Sequence, residues 1–182
     1  MGIAILGWGS LIWDPRDLLV QGDWIAAGPV LPIEFSRISQ NKRLTLVIDE
    51  RAGVDVRTRY ILSSLDELSD AIENLRKREG AIRQGIGVFD TSGHVNNEHA
   101  KEVSPIAFER INSWAKGTGL DAVIWTALSP KFLEGKDFSV ASAILHLASL
   151  QEPERTRAFD YIHRAPAEVV TPLRTAFTAE FG

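Results

Sequence analysis

Two features of this chain have residue types and spacing suited to chemistry: Glu79 and the loop Gly7-Trp8-Gly9-Ser10. Leu68, Ile72 and Leu75 recur at helical spacing, and the series continues onto Glu79, because residues three or four apart share a helix face. A carboxylate therefore falls where a leucine belongs, while Arg76, Lys77 and Arg78 take the remaining azimuths. Burial disfavours the charged form of a carboxyl group and moves it toward the protonation range that general acid/base catalysis needs. An ion pair with Arg78 or Arg83 at a solvated helix end is an equally natural use of the same glutamate. In the loop, the apolar run at residues 3–6 passes directly into Gly-x-Gly-Ser. Glycine opens backbone conformations that other residues avoid, so successive N–H groups can form a cradle for an anion or oxyanion. A plain tight turn fits the same four residues.

Other chemistries are excluded by what surrounds these residues. Ile12 stands where a dinucleotide fingerprint has its third glycine, and Asp23 follows no clear strand. The loop lacks the Gly-Lys-Ser/Thr of a phosphate-binding P-loop, and Ser10 lacks the glycines two residues to either side that a nucleophile elbow needs, with Ile12 again at position 12. Without cysteine the chain has no disulfide, no thiolate nucleophile and no cysteine-containing zinc site. His94, His99, His146 and His163 never pair at i, i+4 on a helix, so no metal is expected. A net charge of -4, with acids and bases interspersed, argues against a nucleic-acid partner. No segment approaches the ~20 apolar residues of a membrane helix, and residues 3–6 are too short for a signal-peptide core, so no membrane partner and a cytoplasmic location are expected. Trp24, Trp114 and Trp125 read as core aromatics. Asn41-Lys42-Arg43 and Arg57-Thr58-Arg59 read as solvated strand faces more readily than as an anion site.

The elements that must position Glu79 and the loop follow from periodicity. With 182 residues, 45% hydrophobic and 24% charged, residues 1–182 are expected to form one domain. Strands are predicted at 3–6, 30–38, 43–49, 54–62, 85–90 and 121–128; the connections from 30 to 62 are too short for helical crossovers, which makes those strands antiparallel. Ser64 is the expected N-cap of the helix that carries Glu79, with Asp66 and Glu67 in its first turn and Gly80 as its stop. Residues 91–101 read as a polar loop, 105–116 as a helix opened by Ser104 and Pro105, and 140–150, 154–163 and 169–177 as further helices. The fold class expected is α+β, a small mixed or antiparallel β-barrel with flanking helices.

Leu6-Gly7-Trp8-Gly9-Ser10-Leu11-Ile12-Trp13-Asp14-Pro15 resembles the strand-and-loop signature of the γ-glutamylcyclotransferase superfamily, particularly its glutathione-specific ChaC-like branch. That signature reads aromatic-Gly-Ser-Leu followed by Ile-Trp. The match continues more loosely through Phe35-Ser36-Arg37-Ile38-Ser39, and Leu75-Arg76-Lys77-Arg78-Glu79 resembles the later segment where the family places an Arg-Glu pair with its catalytic glutamate. The resemblance implies that the loop and Glu79 face one cavity, with Glu79 as acid/base and Trp8, Gly9, Ser10 and Leu11 against a γ-glutamyl substrate. It implies an intramolecular aminolysis giving 5-oxoproline and a free amine, with no cofactor. Trp8 stands where the family has tyrosine, which removes a hydroxyl. The match covers roughly the first half of the chain; the helices from Val140 onward have no counterpart in it. Two other functions suit the same features: a non-catalytic module that binds a small molecule or partner, and a γ-glutamyl amide hydrolase or acyl transferase.

Overall fold

The computed structural model describes residues 2–94 and 98–182. Among these the chain runs β1 (Ile3–Gly7), β2 (Val20–Ile25), β3 (Val30–Ile38), β4 (Leu44–Ile48), β5 (Val54–Arg57), β6 (Arg59–Ser63), α1 (Leu68–Glu79), β7 (Ile86–Asp90), α2 (Glu98–Val103), α3 (Pro105–Thr118), β8 (Ala122–Thr126), α4 (Val140–Ser149), α5 (Glu154–Arg164) and α6 (Pro172–Phe181). The α+β class is as expected, but the strands form two open sheets and no closed barrel among the described residues. One sheet has the order β2-β6-β1-β8-β7, and the other, β4-β3-β5, is antiparallel throughout. In the larger sheet β1 runs parallel to β8 and antiparallel to β6.

The barrel expectation fails at Thr58. The alternating run at 54–62 is two strands, β5 beside β3 and β6 beside β1, so the chain crosses between sheets after Arg57. Thr58 is buried and fixes the crossing: its hydroxyl donates to the Pro29 carbonyl at 2.7 Å, its N–H donates to the same oxygen, and its own carbonyl accepts the Gly28 N–H. A Cβ at Gly28 would come within 2.5 Å of the Thr58 hydroxyl, so glycine is required there by close approach. Period-two alternation does not report which sheet each half joins.

β1 and β8 read as continuous apolar runs because both of their faces are covered. Ala4, Leu6, Val123 and Trp125 pack into a core shared with the smaller sheet and with α3 to α6, whereas Ile3, Ile5, Ala122 and Ile124 pack on the opposite face with Ala71, Ile72 and Leu75 of α1. Val123 and Trp125 thus share a face, as their spacing requires. The helix α1 begins later than expected: Glu67, not Ser64, occupies the N-cap, and the Leu65 N–H is taken by the hydroxyl of Ser63. Its end is as expected, with Gly80 at φ 60° in the left-handed region.

Glu34 fastens the C-terminal helices to the smaller sheet. It is fully buried, accepts the N–H groups of Phe35 (2.7 Å) and Leu173 (3.3 Å), and so caps the start of α6 from outside the helix. Burial pushes its carboxyl above the ordinary 4.5, opposed by the hydrogen bonds from Thr171, Phe35 and Leu173 and assisted by the nearby Asp49 charge. A carboxyl whose pKa is higher folded than unfolded adds stability that is fully present below the unfolded value and is lost as pH rises through the folded one. The stability of the wild type relative to Glu34→Gln is therefore expected to fall from pH 4.5 upward and then level off, which urea titrations of both proteins across pH 4 to 8 would measure. A constant difference over that range would show that Glu34 does not titrate in this way.

Candidate functional site

A cavity of about 190 Å³ opens at the C-terminal ends of the parallel strands β1 and β8, between the two sheets. Its lining brings together Trp8, Gly9, Ser10 and Leu11 from the loop after β1 with Glu79 from the end of α1. Trp8 is buried and its Nε1 donates to the Leu46 carbonyl at 3.4 Å, so the ring is a fixed wall tied to β4. Leu11 is chiefly a core residue, packed with Ile3 and Ile5 beneath the sheet. Residues 9–14 fold back on themselves, with Ile12 N–H on Gly9 carbonyl and Asp14 N–H on Ser10 carbonyl.

The glycines of the loop serve a different purpose from the one their spacing suggests. Neither Gly7 nor Gly9 is in the left-handed region. Each is required by close approach: a Cβ on Gly7 would sit 2.6 Å from the Trp24 ring, and one on Gly9 would sit 2.9 Å from the Tyr161 hydroxyl. Tyr161 is held in place by Trp13 and Phe35 edge-on, at centroid distances of 5.3 and 6.2 Å. Gly9→Ala is accordingly expected to destabilise the protein by about 1–3 kcal/mol, and adding Tyr161→Phe is expected to recover part of that loss. A double-mutant cycle by urea unfolding checks this; strictly additive losses would show that the hydroxyl is not the obstacle.

Glu79 does pair with Arg78, but the pair faces the cavity instead of a solvated helix end. The two side chains are only 4% and 15% exposed. Arg78 reaches in three directions: one terminal nitrogen donates to Glu79, and the other donates to the Asp14 carbonyl and, at 3.4 Å, to the Ser10 hydroxyl. Its guanidinium therefore holds the carboxylate and the loop in one fixed arrangement. From sequence Arg78 took an azimuth off the apolar series or paired with Glu79 at a solvated helix end; in the structure the pair forms but Arg78 is buried. Ala71, Leu75 and Arg78 also stand at i, i+4 and i+7, and that second stripe is buried.

Three further residues of the site were not assigned from sequence. Tyr161 comes from α5; its hydroxyl oxygen accepts the Leu46 N–H at 3.4 Å, and burial raises its pKa, with nearby Arg43 opposing and Glu79 assisting. A buried phenol thus stands against the loop that carries Trp8. Arg37 and Arg43, on the β3–β4 hairpin, line the opposite wall, so Arg43 is not on the solvated strand face expected for it. Buried side-chain atoms without a hydrogen-bond partner concentrate here: Ser39 Oγ, Arg43 Nε, Arg78 Nε and Thr126 Oγ1 all belong to residues of the cavity lining. Buried polar atoms left without partners are costly, and four of those found among the described residues border this cavity.

No family model, curated protein or solved structure matches the chain. Among the described residues no group of three or more histidine, aspartate or glutamate side chains is placed to hold a metal ion, and no helix is long and apolar enough to cross a membrane.

Proposed function

We propose that this protein is a γ-glutamylcyclotransferase-like enzyme acting on a γ-glutamyl peptide or amine, with Glu79 as the general acid/base. The observation that carries the reading is the convergence of Glu79 and the Trp8-Gly9-Ser10-Leu11 loop on one polar cavity, joined through Arg78. The reaction closes a five-membered ring. The α-amine nitrogen of the glutamyl group attacks its own γ-carbonyl carbon, a new C–N bond forms, and the amide C–N bond breaks to give 5-oxoproline and a free amine. Attacker and target are already in one molecule, so the main demand on the protein is to fold the glutamyl chain into a near-attack shape.

Glu79 suits the proton movements: its carboxylate takes a proton from the α-ammonium and returns one to the departing nitrogen. The Arg78 guanidinium fixes the carboxylate without blocking its second oxygen, since only Oε1 is in the ion pair. The Tyr161 hydroxyl accepts the Leu46 N–H, which leaves its own proton to donate toward a developing oxyanion. No step calls for a cofactor.

Incubation with glutathione, γ-glutamyl dipeptides and γ-glutamyl amines in H2¹⁸O, followed by mass spectrometry, tests the reaction class. Unlabelled 5-oxoproline is the expected product. Glutamate carrying solvent oxygen would point to a hydrolase, and a requirement for an added acyl acceptor would point to a transferase.

A further inference from the structure

Two of the four arginines lining the cavity already hold a carboxylate, Arg78 with Glu79 and Arg16 with Asp14. Arg37 and Arg43 hold none among the described residues. Arg37 donates to the Ser129 carbonyl at 2.7 Å, and burial lowers the pKa of its guanidinium. Arg43 lies with its guanidinium carbon 4.4 Å from the Tyr161 ring centroid, and its Nε is buried without a partner. An aromatic face steadies a cation through the ring quadrupole and uses none of its five N–H donors. Arg43 is thus held in place while its hydrogen-bonding edge stays uncommitted.

The hairpin that presents Arg43 is itself fixed. The Ser39 N–H donates to the Arg43 carbonyl at 2.9 Å, Lys42 adopts φ 59°, and the Lys42 carbonyl lies 2.7 Å from His146 Nε2 on α4. A left-handed conformation at a lysine is held only where its surroundings determine it, and here it turns the chain so that the next residue reaches the cavity. With two arginines neutralised and two not, the site carries an excess of positive charge. A γ-glutamyl peptide, which has two carboxylates and one ammonium, complements that excess. A γ-glutamyl amine, with one carboxylate and one ammonium, does not.

We propose that Arg43, together with Arg37, forms an anion subsite that selects a second carboxylate beyond the γ-amide, so that γ-glutamyl peptides bind in preference to γ-glutamyl amines. The γ-glutamyl half of this ligand rests on the cyclotransferase reading; the anion preference rests on the two unpaired arginines. The subsite contributes binding and takes no part in bond making.

The test uses two probes that lack the α-amine and so cannot cyclise: N-glutarylglycine, with two carboxylates, and N-methylglutaramic acid, with one. Isothermal titration calorimetry at low salt is expected to show N-glutarylglycine bound about 10-fold more tightly by the wild type. Arg43→Gln is expected to bring the two probes close to parity, with Arg43→Lys intermediate because it keeps the charge and loses the planar fork. Equal wild-type affinity for the two probes, or no binding of either, overturns the subsite without depending on any variant's folding. Full discrimination retained in both Arg43→Gln and Arg37→Gln would also overturn it. A preference for the dicarboxylate in a protein that makes no 5-oxoproline would uphold the subsite and remove the cyclotransferase reading instead.

Discussion

Replacing Arg78 with methionine is expected to destabilise the protein by about 3 kcal/mol and to remove turnover together with it. The stability loss follows from what the guanidinium leaves behind. Glu79, mostly buried, loses its counter-charge, and the Asp14 carbonyl and Ser10 hydroxyl lose a donor. Breaking a buried pair is costly because one charge remains uncompensated in a poorly solvated place, whereas replacing both partners with apolar groups often is not. The double variant Arg78→Met/Glu79→Leu is therefore expected to regain most of the lost stability and none of the activity. Urea unfolding of wild type, single and double variants separates the two effects. A loss below about 0.5 kcal/mol for Arg78→Met would mean that the pair behaves as a surface ion pair.

Glu79→Gln is expected to lower kcat/KM for 5-oxoproline formation by about 10²- to 10⁴-fold, the usual contribution of a positioned acid/base. Some stability is expected to be lost as well, because Arg78 keeps its charge without a counter-charge. The loss is expected to be smaller than in Arg78→Met, because the glutamine carbonyl oxygen can still accept from the guanidinium and the loop connections of that arginine remain. Thermal melting beside steady-state kinetics distinguishes loss of the proton carrier from loss of the site. A rate loss that disappears once the unfolded fraction is corrected for would make Glu79 a structural residue.

Glu79 was legible in the sequence because its position relative to Leu68, Ile72 and Leu75 is local information, fixed by helix geometry alone. The loop was legible for the same reason, although its glycines are explained by Trp24 and Tyr161, which no local rule connects to them. β2, in which Asp23 lies although it follows no clear strand by sequence, is an irregular edge strand that pairs with β6 and is interrupted at Gly22, at φ 75°. The helix α2 lies in the segment read as a polar loop, and it buries little besides Ala100, so it leaves no apolar stripe. Tyr161 and Arg37 were not assigned for a different reason, which also explains why Arg43 was read as a solvated strand face in preference to an anion contact. They enter the site from α5 and from the second sheet, and which sheet each strand joins is decided at Thr58 by tertiary hydrogen bonds.

The central claim is that Glu79 drives cyclisation of a γ-glutamyl group in the cavity it shares with the loop. The most direct test is mass-spectrometric detection of 5-oxoproline from γ-glutamyl peptides incubated with wild type and Glu79→Gln at matched folded concentration. Product from the wild type, falling by at least about 10²-fold in the variant, is the expected result. Product at equal rates from both, or from neither with any γ-glutamyl compound, would contradict it.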